Sequence, residues 1–168
     1  MTATKPPPPT KLPRAEGAVV DDVAERDRRE GREGAESGRR ELLGLFEQSP
    51  GFLCFLRGRS HVFELANPAY FQLVGHRDIL GLPLREALPE IAGQGYFELL
   101  DQVFTSGEPF IGRGLRVMLQ REPGAPLSEA YVDLIYQPIR DVAGAVAGIL
   151  AQGHDVTEAR KQEAQREA

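Results

Sequence analysis

Two pairs of carboxylates, Asp133 with Asp141 and Glu86 with Glu90, are of the residue type that general acid–base chemistry uses. Neither pair is accompanied by a Ser-His-Asp pattern or a Gly-rich phosphate loop, so they read as solvated carboxylates and no catalytic residue is assigned. Cys54 is the single cysteine, which excludes an internal disulfide and a Cys-rich zinc site and suits a reducing compartment. His61, His76 and His154 are dispersed, each at the edge of an element, and read as surface histidines rather than metal ligands. The remaining pattern is Asp155-Val156-Thr157-Glu158. Its Asp and Glu have capping-box spacing, so a helix starts there, with Asp155 accepting backbone N–H bonds and pairing with a base, for which Arg140 is the candidate.

The elements that must position this junction lie just before it. Ala130 to Ile139 alternates, with Val132, Leu134 and Tyr136 on one face and Tyr131, Asp133, Ile135 and Gln137 on the other. Asp141 to Gly144 supply a turn, and Ala145 to Gly153 is a run of small and branched apolar residues that suits a central, two-sided strand. The pair reads as a hairpin that feeds directly into a charged helix.

Upstream, Phe52–Leu56 and His61–Asn67 read as a first hairpin. Asn67-Pro68 then switches the chain to helix, with Asn as N-cap and Pro at the first helical position. A short helical segment follows through Leu84, Ala87, Leu88 and Ile91, then a clearer helix over Tyr96–Thr105, and a strand over Pro109–Gln120. The N-terminal 38 residues differ. A tetraproline run at Pro6–Pro9 reads as an extended tether, with an SH3-like ligand as the alternative, and Asp21–Arg40 reads as a charged helix that Gly31, Gly34 and Gly38 weaken. From Arg39 the apolar residues Leu42, Leu43, Leu45 and Phe46 form a face expected to dock on the domain or on a second copy. The division is therefore 1–38 as a disordered, partly helical extension, 39–156 as the domain with its flanking helix, and 157–168 as the start of an exit helix.

The 168 residues, 41% hydrophobic and 27% charged, suffice for one globular core with an appendage. A net charge of -5 argues against a nucleic-acid surface. No apolar run reaches the roughly 20 residues that span a bilayer, so a cytoplasmic location without membrane attachment is expected. Strands at both ends with helices between them fit an α+β domain with an antiparallel sheet.

Five short motifs in one order resemble the PAS sensory domains: Leu45-Phe46-Glu47-Gln48-Ser49-Pro50, Glu64-Leu65-Ala66-Asn67-Pro68-Ala69-Tyr70, Ser106-Gly107-Glu108-Pro109, Tyr136-Gln137-Pro138-Ile139-Arg140-Asp141 and Asp155-Val156-Thr157-Glu158. The resemblance covers about residues 42–158 and is strongest to the input domains of bacterial sensor histidine kinases. It implies a five-stranded antiparallel sheet with short helices on one face and flanking N- and C-terminal helices. The sheet and helices would enclose a cavity lined by Phe63, Leu65, Leu88, Ile91, Phe97, Leu100, Phe104, Val117, Val132, Leu134, Tyr136, Ile149, Ala151 and Gly153. Those side chains read either as packed core or as a pocket whose polar handle is Tyr136.

Light-oxygen-voltage members of the family carry a cysteine in Gly-x-Asn-Cys-Arg before the long helix. Here Leu84-Arg85-Glu86-Ala87-Leu88-Pro89 stands in that place, and Gly153 stands where the flavin-contacting glutamine would. Covalent flavin is therefore not expected. Neither is haem, because Tyr96–Thr105 holds no axial histidine. The resemblance implies a non-enzymatic sensory module that dimerises and relays a signal through Asp155, Thr157 and Glu158 to an effector such as a histidine kinase, with a homodimer partner and no nucleic acid or membrane. The alternative is a sensor of a small apolar molecule or of a non-covalently held flavin.

Overall fold

The computed structural model describes residues 16–167, so the tetraproline reading lies outside the described residues. The chain divides into two units, 1–43 and 44–168. Most of the described first unit is helix α1, Glu16–Gln48, which runs on into the start of the second. Gly31, Gly34 and Gly38 do not interrupt it: the Arg, Glu and Ala between them and the Arg, Glu and Leu around them are strong helix formers, enough to carry the roughly 1 kcal/mol cost of each glycine. Leu42 and Leu45 are each 69% exposed and Leu43 44%, and Phe46 is half-buried.

In the second unit, β1 (Phe52–Arg57), β2 (Val62–Ala66), β3 (Phe110–Leu119), β4 (Ser128–Arg140) and β5 (Val146–Asp155) form one antiparallel sheet in the order β2-β1-β5-β4-β3. The expectation of a central last strand holds, since β5 is paired on both sides. Helices α2 (Pro68–Leu73), α3 (Leu84–Ala87) and α4 (Tyr96–Ser106), with a 3-10 turn at Pro89–Ile91, cover one face. α5 (Thr157–Glu167) leaves from β5.

The inward residues alternate along each strand as two-residue periodicity requires. Their registers align across the sheet: Cys54 pairs with Ala151, Ala151 with Tyr136 and Tyr136 with Phe110. The next row joins Phe52, Gly153, Leu134 and Gly112. Gly153 has no space for a side chain, because a Cβ there would overlap the Asp133 carbonyl and press on the Phe52 ring.

The register shifts in the β1–β2, β3–β4 and β4–β5 pairs, and the shift between β1 and β2 moves an expected cavity residue. Phe55 faces Leu65 but Leu56 faces Phe63, so Glu64 is an extra residue and the register slips by one. Phe63 therefore points into the core at 1% exposure, whereas Leu65 turns to the outer face at 42%. The expectation that Leu65 lines an internal cavity is corrected by this bulge, which reverses the face of every residue beyond it.

The free edge of β3 is covered by side chains rather than by another strand. Tyr96 donates its hydroxyl to the Arg116 carbonyl at 2.6 Å, and the Gln94 amide both accepts from Met118 N and donates to Met118 O. Glu90 accepts from Gln120 N and Arg77 donates to Gln120 O. Arg77 also donates to the carbonyls of Val74 and Ala87 and pairs with Glu90, so one guanidinium ties the helical layer to the sheet edge.

Candidate functional site

Two places collect the residues that sequence reasoning singled out: a cavity above the centre of the sheet and the junction at the start of α5.

The cavity follows from the row Cys54, Ala151, Tyr136. Ala151 is the smallest side chain in it, and it borders a cavity of about 60 Å³. Of the expected lining, Leu88, Ile91, Leu100, Val117, Val132, Leu134, Tyr136 and Ala151 border this volume. Phe63, Phe97 and Ile149 are buried in the core and Phe104 packs at its margin, but none of the four borders the void. Gly153 is shut off by Phe52, and Leu65 is on the other face. Sequence reasoning missed Phe52, Cys54, Leu56, Tyr70, Leu73, Val74, Leu84, Tyr96 and Leu119, which complete the wall. The strand alternation of Phe52, Cys54 and Leu56 with Ala151 was a usable signal for three of them.

Tyr70 reaches the cavity because Asn67 fixes the start of α2. Asn67 is fully buried, and its Oδ1 accepts from Tyr70 N at 3.0 Å and Leu53 N at 2.8 Å. Its Nδ2 donates to Gly51 O at 2.8 Å and Phe46 O at 3.2 Å. With all four hydrogen bonds made, this N-cap locks helix, strand and the end of α1 together. Burial pushes the Cys54 thiol up to about 12, partly offset by the adjacent Tyr70 hydroxyl and the Ala151 backbone. Burial also raises the Tyr70 and Tyr136 phenols well above their ordinary value. All three groups are thus neutral, and burial with no hydrogen bond is what raises Tyr136; the fully buried side-chain atom left without a partner among the described residues is His61 Nδ1.

At the junction, Asp155 Oδ1 accepts from both the backbone N–H, at 3.0 Å, and the hydroxyl of Thr157. Thr157 Oγ1 in turn accepts from Tyr131 N at 3.0 Å, and Val156 N donates to Tyr131 O at 2.8 Å. The base paired with Asp155 is Arg121, with Nη2 and Oδ2 2.8 Å apart. Arg140, the sequence candidate, is instead turned onto its own hairpin, donating to Gly144 O. Burial raises the Asp155 carboxyl, but the Thr157 hydrogen bonds and the Arg121 charge outweigh it and hold the group below the ordinary carboxylate range. Glu158 is 84% exposed at its side chain and meets Lys161, so the reciprocal half of the expected capping box does not form. Of the two capping-box residues, Asp155 is the one that bonds the first turn. Arg160 completes the seat, lying over the Tyr131 ring at 4.9 Å.

The remaining chemical candidates are structural. Glu90 is not solvated: its side chain is 9% exposed, and although burial raises it, Arg77 and the Gln120 N–H hold it low. Asp141 accepts from Ala143 N and Ala145 N in the hairpin turn, and Asp133 accepts from Gly114 N. His61 is 4% exposed rather than on the surface; a left-handed backbone at the β1–β2 turn aims its ring inward, and Nε2 meets Asp101 Oδ1 at 2.7 Å. His76 and His154 are exposed. No described helix is long and apolar enough to cross a membrane.

Comparison with known proteins agrees with this architecture. The family model described as "PAS fold" matches residues 46–161. An RNA-binding light-oxygen-voltage receptor superposes with a TM-score of 0.58 at 18% identity, over 99% of this chain and 41% of its own. The PAS domain of a Colwellia psychrerythraea protein gives 0.55 at 15% identity, over 71% and 97%. VqmA bound to DPO gives 0.53 at 23% identity, over 68% and 56%. The chain thus spans about half or less of the light-oxygen-voltage receptor and of VqmA. With the family model covering residues 46–161 and the sheet, helices and junction in place around it, the chain belongs to the PAS family.

Proposed function

We propose that this PAS domain is a sensory input module that forms a homodimer and relays a change in its sheet through α5 to an effector such as a histidine kinase. The observation that carries the reading is the convergence on Thr157. Asp155 from β5, Tyr131 from β4 and, through Asp155, Arg121 from the end of β3 all fix the first residue of the exit helix. A helix seated on three strands follows any change in their relative positions. Glu158 contributes only at the exposed surface of the first turn. Fusing the domain to a kinase core tests the relay: Asp155→Ala should uncouple kinase output while the domain stays folded. Unaltered regulation would sink it.

Dimerisation is supported by the exposed Leu42, Leu43 and Leu45 of α1 and by the half-buried Tyr131 and Ile135 on the outer sheet face. Sedimentation at high concentration should give a dimer, and a monomer there removes this part of the reading.

The alternative, a ligand sensor, has its own supporting observation in Tyr136, which borders a void. Its flavin form is disfavoured by size, because a cavity of about 150 Å³ holds a single benzene ring and this one measures about 60 Å³.

A further inference from the structure

The cavity contains a polarity that its shape does not explain. Tyr96 spends its hydroxyl on the Arg116 carbonyl, and the Tyr70 hydroxyl lies against the Cys54 thiol. Tyr136 shares a sheet row with Ala151 and Cys54. Tyr136 is 7% exposed and borders the void, so an occupant of the void that accepts a hydrogen bond would engage its hydroxyl. No charged side chain borders the void. Arg77, whose charge acts on the cavity-lining Tyr70, is committed to Glu90 and to the carbonyls of Val74, Ala87 and Gln120. An ionic occupant would therefore be stripped of water with nothing to replace it.

We propose, resting on the ligand-sensing alternative above, that the void over Ala151 takes an uncharged molecule of single-ring size or smaller that accepts a hydrogen bond from the Tyr136 hydroxyl and buries an apolar body against Leu88, Ile91 and Leu100. The acceptor is a ring nitrogen or a carbonyl oxygen, and carboxylates, phosphates and ammonium compounds are excluded. Size follows from the volume: the full wall admits less than benzene needs, so a ring enters by displacing side chains of the helical layer rather than the sheet. Leu84, Leu88 and Ile91 sit on a four-residue helix and a three-residue turn, whereas Ala151 and Tyr136 are fixed by strand pairing on both sides of β5. Burial raises the Tyr136 phenol, so it stays protonated and a donor at the pH of the test below.

The test uses pyridine and benzene, which have the same shape and differ in one acceptor nitrogen, with benzoate as the anion, all at pH 8 where pyridine is uncharged. Each is titrated into the whole chain and followed by backbone amide shifts at Ala151, Tyr136 and Thr157. Pyridine should saturate shifts at Ala151 and Tyr136 and bind at least about fivefold tighter than benzene, and benzoate should produce none. Tyr136→Phe removes a single oxygen, and it should bring pyridine down to the benzene affinity while leaving benzene unchanged. Equal affinity for the two rings, undiminished pyridine binding in Tyr136→Phe, saturable benzoate binding, or no saturable shift with either ring each overturns the proposal. Shifts that saturate at Ala151 but never reach Thr157 support the ligand class and overturn the relay through α5 instead.

Discussion

Arg121 and Asp155 are 34 positions apart in sequence and joined by a 2.8 Å bond between Nη2 and Oδ2, which ties the chain just beyond β3 to the last residue of β5. The two members of this pair differ in what they hold. Asp155 also receives both Thr157 donors, whereas Arg121 makes a single partly exposed ion pair. Asp155→Ala should therefore cost about 1 kcal/mol, as loss of a helix cap does, and Arg121→Ala less, as for a partly exposed pair. Urea unfolding measures both, and amide exchange in α5 should accelerate more in the Asp155 variant. Equal effects would mean the cap is not the organising contact.

Acid should unfold the domain partly through Glu90 and Asp155. Both are held below the ordinary carboxylate range in the fold. A carboxyl lowered on folding contributes stability above its unfolded value, about 4, and loses it as pH falls through the folded value. Glu90→Gln should be less stable than the parent at pH 7, because Arg77 loses its partner. The two unfolding midpoints should converge as the pH falls below the unfolded value of about 4. Parallel curves across that span would deny Glu90 this role.

Ala151 and Gly153 are neighbours on the inner face of β5 with opposite tolerance for added atoms. A Cβ at Gly153 meets the Asp133 carbonyl and the Phe52 ring, so Gly153→Ala should lower the melting temperature by several degrees, a loss of roughly 1–3 kcal/mol. Ala151→Val grows into the existing void and should leave it within about 1 kcal/mol of the parent. Thermal unfolding of the pair checks the assignment of the space, and the reverse order would refute it.

Leu100 and Leu45 separate the core from the exposed helix. Leu100 is fully buried beside the void, and Leu100→Ala should cost about 2–5 kcal/mol. Leu45 is 69% exposed, and Leu45→Ala should change the stability of a monomer by less than about 0.5 kcal/mol. If α1 carries the dimer contact, the same variant raises the dissociation constant in sedimentation. An unchanged constant would place that contact elsewhere.

Much of this was legible in the residues. The alternation over 130–139, the Asn67-Pro68 switch and the glycine after Ser106 fixed strand faces and helix limits because each reports a local rule. What failed depended on non-local geometry. Leu65 alternates correctly in sequence and lies on the wrong face only because Glu64 is an unpaired insertion, which shows once β1 is laid beside β2. His61 looked superficial as a turn residue, yet its positive φ swings the ring under Asp101 and Phe104, forty or more residues away. Arg121 follows β3 and Arg140 ends β4, and only the fold of the sheet decides that Arg121 is the one that reaches Asp155. Glu90 looked solvated because its partner Arg77 lies in a different loop.

The side-chain cover of β3 has a consequence for how copies of this domain can meet. Between Arg116 and Gln120 the outward-facing peptide groups are already occupied by Tyr96, Gln94, Glu90 and Arg77, and β2 is shielded in turn by the chain at Gly81–Leu84. A neighbouring chain therefore cannot add a strand along these stretches. Association between molecules is directed to side chains on faces and helices, where it can be specific and reversible, as a switch requires.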